Sequence, residues 1–419
     1  MAIEATGEST ALITDDAVVL GLLAMTLGAV FWTSSRETGF WKKFYGVVPA
    51  LLLCYLIPAI YNSVGLIDGG ASGLYPMARD YLLPAALVLL CIAIDFKAIL
   101  RLGPKAVIMF LTGTLGVMLG AVMAFLAMGF IHPATVEGDT WRGMTTVAGS
   151  WIGGGANQAA MKEVFAVDAN LFGQFVAVDV LVASVWMAVL LFLAGRSAAF
   201  DRWTRADLTA IDDLKRRVEA YQAEHTRIPT LTDLMVILAI GLGATGLAHA
   251  LTGPLVGWIA TLPAEWRLED YSLTARFFWI TVLATTFGLA LSFTRARRME
   301  GAGASRIGSL FLYVLVATIG MQMDLAALLD RPLLFLMGAI WIATHGLLML
   351  VVAKLIRAPL FFMAVGSQAN IGGAASAPVV ASAFHPALAP VGVLLAVLGY
   401  ALGTYAAYLT GLALQGMAA

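Results

Sequence analysis

A helix needs about 20 mainly apolar residues to cross the hydrocarbon core of a bilayer, and this sequence supplies such a stretch roughly ten times over. The candidate spans are 17–33, 45–61, 80–95, 106–131, 172–195, 232–252, 275–293, 307–323, 333–353 and 388–412. No soluble class accommodates them. Apolar residues fill 60% of the 419 positions and charged residues only 12%, against about 45–50% and 25% in soluble domains. Too few charged side chains remain to cover a water-facing surface. The expectation is an all-α polytopic membrane protein with lipid as its solvent.

Net charge is −1, so no global field draws nucleic acid toward the chain. Cys54 and Cys91 lie inside apolar runs and suggest neither a disulfide nor a metal framework. The acidic, polar stretch Met1 to Asp16 lacks a positive n-region and a small-residue cleavage site. It reads as an N-terminal tail (1–16), with the first apolar stretch retained as a span. Further along, Leu208, Ile211, Leu214, Val218 and Tyr221 recur at helical spacing within the polar segment Arg205 to Arg227. That pattern predicts an amphipathic surface helix, in a cytoplasmic linker (196–230) between two membrane halves, 17–195 and 231–419.

Loop charges orient the spans, because cytoplasmic loops carry the excess of Lys and Arg. Arg36, Lys42 and Lys43 mark one internal loop, and Lys97, Arg101 and Lys105 mark the next. Arg295, Arg297, Arg298 and Arg306, then Lys354 and Arg357, mark others. Glu137 with Asp139, and Glu265, Glu269 and Asp270, mark external ones. Two further apolar stretches, 142–166 and 358–383, are interrupted by glycine and amide residues. If the first crossed completely, Arg196 to Arg227 would lie outside and every later loop would invert. Two re-entrant segments satisfy the whole charge pattern with the N-terminus outside; broken helices that cross fully fit it less well.

The halves resemble each other. Asp95-Phe96-Lys97-Ala98-Ile99-Leu100 matches Asp324-Leu325-Ala326-Ala327-Leu328-Leu329, with Pro104 or Pro332 soon after. Some fifty residues on, Gly149-Ser150-Trp151-Ile152-Gly153-Gly154-Gly155 matches Gly366-Ser367 and then Ile371-Gly372-Gly373. Five full spans per half would insert the second half upside down. Inverted repeats of this kind place a binding site near the midplane, where the halves meet.

The interrupted segments carry the candidate site. Non-helical backbone inside a bilayer is tolerated only when buried in protein or lining an aqueous cavity. Gly153, Gly154, Gly155, Gly372 and Gly373 permit tight reversals and close approach to a ligand. Ser150, Asn157 and Gln158 flank the first set, and Ser367, Gln368, Asn370 and Ser376 the second. All twelve are candidate substrate-binding residues; close helix packing by small residues is the plainer alternative.

Asp179 lies mid-span, where a carboxylate costs at least about 2.5–3.5 kcal/mol without compensation. It could ligate Na+ or carry a proton, or simply pair with Lys162 or another polar group. Asp95 and Asp324 are candidate coupling residues that could equally cap the helices following them. His345 could relay protons or hydrogen-bond a neighbouring helix, while Lys162 and Glu163 lie near a membrane surface.

The runs Gly149 to Phe165, Gly366 to Ser382 and Asp95 to Ala106 resemble the YjcL-like family of uncharacterised membrane proteins. That family is similar in plan to the glutamate:sodium and 2-hydroxycarboxylate:sodium symporters, and more remotely to bile-acid symporters and sodium/proton antiporters. The resemblance implies an inverted-repeat fold in which a core moves against a scaffold, often as a dimer. The adjacent acidic pair common in sodium/proton antiporters is missing, since Val178 and Val180 flank Asp179.

A secondary transporter in the bacterial inner membrane is therefore expected. It would move a small anionic or zwitterionic organic solute coupled to Na+ or H+, with no other cofactor and no nucleic-acid partner, as a possible homodimer. An uncoupled facilitator or a channel is the alternative. A remote one is an intramembrane protease, because Gly70-Ala71-Ser72-Gly73 matches a short serine motif for which His345 could act as base.

Overall fold

The computed structural model of the chain describes residues 11–36, 38–45, 48, 50–206, 228–269, 271–323, 331–385 and 388–418. Asp324 and the amphipathic stretch containing Leu208 to Tyr221 lie outside these residues. Among those described, the ordered elements are helices, and the one extended pairing is an isolated bridge between Ile13 and Ile67. Helices dominate because lipid offers no partner for backbone N–H and C=O groups, and a helix satisfies its own.

In chain order the first helices are α1 (Asp16–Ser34), α2 (Gly39–Tyr45), α3 (Ala50–Ser63) and α4 (Leu74–Ile92, with a π turn over Ala78–Leu82). There follow α5 (Phe96–Arg101), α6 (Pro104–Ile131), α7 (Thr140–Val164), α8 (Ala169–Ala194) and α9 (Ser197–Thr204). Past the linker come α10 (Leu231–Ile259), α11 (Arg276–Ser292), α12 (Ala304–Gly320) and α13 (Leu333–Leu355). The last are α14 (Leu360–Ile371), α15 (Gly373–Phe384) and α16 (Ala389–Ala418). Seven described helices are long and apolar enough to cross a membrane, or nine if two bent pairs are each one span. The chain is thus a multi-pass membrane protein. Of the expected spans, 307–323 is the short apolar helix α12, and 80–95 begins earlier than expected, at Leu74.

Both glycine-interrupted segments fold back on themselves. A continuous helix would separate Trp141 from Phe165 by about 35 Å. Instead their rings meet edge to face at 5.7 Å between centroids, and Arg142 Nη1 donates to the Phe165 carbonyl at 2.6 Å. The reversal is at Gly154, whose φ of 74° and ψ of −176° lie where a side chain is strained. A Cβ added at Gly149 would come within 2.6 Å of the Asn157 carbonyl oxygen, so the two limbs touch across the turn. The second hairpin, α14 and α15, turns at Gly372 and Gly373, the latter with φ +59°. Its ends close in the same way, Phe361 meeting Phe384 at 5.5 Å.

The hairpins enter from opposite ends of α8. That helix starts at Ala169, five residues after the first hairpin ends at Val164, and the Asp168 side chain caps it. At its far end, about 39 Å away, α9 brings Asp201 Oδ1 to 2.8 Å from the Leu360 N–H that opens the second hairpin. Helices α6, α8, α13 and α16 enclose the hairpins, whereas α1, α3, α4, α10, α11 and α12 pack mainly on one another. The first group is called the core below and the second the scaffold.

Candidate functional site

The centre of α8 supplies Asp179, and it faces the first hairpin. Asp179 Oδ1 accepts from Trp151 Nε1 at 2.6 Å, and Oδ2 accepts from Gln158 Nε2 at 2.9 Å. Ser150 lies beside the carboxylate. Asp179 is only 5% exposed. Its pairing with Lys162, entertained from the sequence, does not occur: Lys162 Nζ bonds to Tyr75 Oη at 2.5 Å and Glu163 Oε1 at 3.0 Å. Neutral donors drawn from both limbs of one hairpin therefore compensate the carboxylate.

Two turns further along α8, on the same face, Trp186 Nε1 donates to Ser367 Oγ in the second hairpin at 2.8 Å. Seven residues of helix rise about 10 Å, so a single helix touches both hairpins within the middle of its length. From α13, four residues apart, Trp341 packs on Trp151 at 5.1 Å and His345 Nε2 lies 2.8 Å from Ser367 Oγ. His345 Nδ1 lies 3.1 Å from the Gly113 carbonyl, which can only accept. That fixes the proton of a neutral imidazole on Nδ1 and leaves Nε2 to accept from Ser367. Both ring nitrogens are engaged in a fully buried ring.

Asn157 and Asn370 are used identically. Asn157 Nδ2 donates to the Gly153 and Tyr400 carbonyls at 3.0 and 2.9 Å, and its Oδ1 accepts from Thr404 at 2.5 Å. Asn370 Nδ2 donates to the Gly366 and Phe110 carbonyls, each at 2.9 Å, and its Oδ1 accepts from Thr114 at 2.8 Å. Each amide so joins its own preceding turn to a neighbouring helix, α16 for the first hairpin and α6 for the second. The receiving sequences share a pattern, Phe110-x-x-Gly113-Thr114 and Tyr400-x-x-Gly403-Thr404. A Cβ at Gly113 would sit 2.6 Å from Asn370 Nδ2, and one at Gly403 would sit 2.8 Å from Asn157 Nδ2. The glycine clears room for the amide and the threonine holds its oxygen. Both helices were expected as spans, 106–131 and 388–412, but their Gly-Thr pairs were not marked as part of the site, although the repeated aromatic-x-x-Gly-Thr was visible.

Ser150, Gly153 to Gly155, Asn157, Gln158 and Asp179 are thus brought together, as are Ser367, Gln368, Asn370, Gly372, Gly373 and Ser376, where Gln368 Nε2 bonds to Ser376 Oγ at 2.7 Å. His345 joins the second group. Asp95 does not belong to either; its Oδ1 caps α5 through the Ala98 N–H at 3.0 Å, and its Oδ2 pairs with Arg297. The serine motif is likewise apart. Ser72 Oγ donates to Asp16 Oδ1 at 2.6 Å, while His345 is committed to Ser367.

A further cluster links the hairpin to the scaffold. Tyr75 and Arg79 of α4 meet Glu163, Tyr75 by a hydroxyl hydrogen bond and Arg79 at 3.8 Å. Lys162, which the sequence placed merely near a surface, completes this cluster with only 7% of its side chain exposed.

A polytopic helical membrane protein with two opposed polar hairpins around a buried carboxylate is the class defined by these features. The chain belongs to the family described as Protein of unknown function (DUF819), whose model matches residues 21–417. It is also 24% identical, over 373 residues covering 87% of this chain and 89% of the relative, to the uncharacterized membrane protein YjcL of Bacillus subtilis strain 168.

Proposed function

We propose that this protein is a secondary active transporter of the bacterial inner membrane, which moves a small polar organic solute by alternating access coupled to Na+ or H+. The observation that carries the proposal is the placing of the two hairpins. They enter from opposite ends of α8, the first reaching Asp179 at its centre and the second Trp186 two turns on. A solute held between such tips can be reached from either face in turn. The glycine turns supply backbone that can approach it, and Asp179 supplies a negative charge for the coupling ion. The order of spans before each hairpin fits an inverted repeat, with α6 answering to α13 and α8 to α16. Positive loops place the first hairpin's entry outside and the second's in the cytoplasm. A homodimer held through the scaffold is part of the proposal.

The test is uptake into proteoliposomes under an imposed sodium or proton gradient, across amino acids, carboxylates and small peptides. Gradient-driven accumulation of at least one class is expected. Asp179→Asn keeps an acceptor for Trp151 and should abolish coupling without unfolding the protein. Accumulation by that variant at the wild-type rate would remove Asp179 from the mechanism.

A further inference from the structure

The hydrogen-bonding groups at the hairpins are unequally used. On the donor side, Trp151 Nε1 and Gln158 Nε2 are on Asp179, and Trp186 Nε1 is on Ser367. Both amide hydrogens of Asn157 lie on carbonyls, as do both of Asn370. His345 Nδ1 lies on the Gly113 carbonyl. On the acceptor side, Gln158 Oε1 is buried, on a residue 1% exposed, without any hydrogen-bond partner. Gln368 Oε1 is in the same condition.

The two glutamines do not carry equal weight. Gln368 faces the Ser376 hydroxyl, which can donate or accept, so its amide could turn over at little cost. Gln158 cannot. Its amide nitrogen faces the Asp179 carboxylate, and exchanging nitrogen for oxygen would set two acceptors against each other. Its carbonyl is therefore committed to pointing away from Asp179 and finds nothing there. A buried acceptor left in this state is destabilising, and it stands one turn beyond Gly154 and Gly155, which stay partly exposed at the hairpin tip. Among the described residues, no Lys or Arg is bonded to this hairpin's polar residues near the tip; Lys162 is taken up by Glu163 and Tyr75. A plain carboxylate entering here would meet an idle carbonyl and be repelled by the Asp179 carboxylate.

We infer that the transported solute carries an ammonium group, received by Gln158 Oε1. This rests on the carrier proposal and narrows it: a zwitterion such as an amino acid, or an amine, pairs the Gln158 carbonyl, and a simple organic anion leaves it unpaired. Any carboxylate on the solute would fall to backbone N–H groups at the start of the second limb of each hairpin, which follow a glycine turn and have no side-chain cap at Gly372. Sodium could also use a lone carbonyl, so the ion has to be separated from the amine.

The experiment uses the purified full-length protein in detergent and follows its thermal unfolding with matched pairs of probes. Each pair differs only in the ammonium group, as in alanine against lactate or glutamate against 2-hydroxyglutarate, with methylammonium and NaCl as separate arms. Stabilisation is expected only from ammonium-bearing members. Gln158→Leu should weaken it at least about tenfold. A monodisperse elution profile checks the fold of each variant. Equal stabilisation by the hydroxy acids, or none from any ammonium probe, would overturn the inference. So would a shift from NaCl alone that Gln158→Leu removes, since that assigns the carbonyl to the ion. Gradient-driven uptake of hydroxy acids only would sink this inference and leave the carrier standing. Amine binding without uptake of any probe would do the reverse.

Discussion

Asn370 and Gly113 should be strongly coupled, and the coupling has a sign that plain helix packing would not give. Asn370→Ala removes three hydrogen bonds, to the Gly366 and Phe110 carbonyls and from Thr114. At about 1 kcal/mol net for each, the loss is about 3 kcal/mol. Gly113→Ala alone places a methyl 2.6 Å from Asn370 Nδ2, and overpacking of that kind costs about 1–3 kcal/mol. Once Asn370 is alanine the amide is gone, and the remaining close neighbour at Gly113, the Gly366 carbonyl oxygen, lies at 3.3 Å, a gap that small shifts accommodate. The double variant should thus be more stable than the sum of the single losses, by about 1–2 kcal/mol. At the corresponding pair, Gly403→Ala with Asn157→Ala, no such relief is expected, because the Gly403 methyl would also meet the Gly153 Cα at 2.5 Å. Reversible unfolding in mixed micelles, followed by tryptophan fluorescence, measures all the variants. Additivity within about 0.5 kcal/mol at the Gly113 pair would refute the clamp as described.

Further outcomes follow at the two ends of the core. Glu163→Gln leaves Lys162 buried without its counter-ion, which should cost about 3 kcal/mol, and adding Lys162→Met should recover most of that; failure of the second change to rescue would show that the cluster is not held by charge. Asp201→Ala removes the acceptor for the Leu360 N–H and should cost about 1 kcal/mol, whereas Asp201→Asn, which still caps, should stay close to wild type. Burial raises the Asp201 carboxyl above the usual aspartate range, so its ionised form is disfavoured in the fold. As pH rises through the unfolded and then the folded value, wild type should lose a little stability that Asp201→Asn keeps, as thermal unfolding between pH 3 and 7 would record.

The spans were legible because lipid imposes a length and a composition, and both are local. What hydropathy could not place was the start of α4. Tyr75 and Arg79 look like loop residues in sequence, yet they lie inside the helix, where Glu163 and Lys162, some eighty residues on, supply their partners. The hairpins were legible for a different reason: loop charges contradicted full crossings, and glycine marked where the reversals fall. The duties of the polar residues were not legible. An amide beside a glycine turn reads as a ligand for solute until its partners are known, and for Asn157 and Asn370 those partners are carbonyls and threonines of the core. Asp95 divides between the two cases: its N-cap, with a donor three residues on, was legible, whereas its bond to Arg297 depends on a loop two hundred residues away.

The two clamps also constrain how a carrier of this build could move. Each hairpin is tied by two hydrogen bonds to a helix from the opposite half of the chain, the first to α16 and the second to α6. Swinging either hairpin open by itself would break all the interhelical bonds of its clamp inside lipid, where no water replaces them. Moving both hairpins together with α6, α8, α13 and α16 breaks none. The contacts that must then change lie between core and scaffold, and the described charged contact of that kind is Lys162 and Glu163 against Tyr75 and Arg79. It sits at the entry of the first hairpin, the face assigned to the outside. Under the carrier proposal, its release accompanies exposure of the site outward, so that weakening the cluster shifts the resting population toward that state by the energy it contributed.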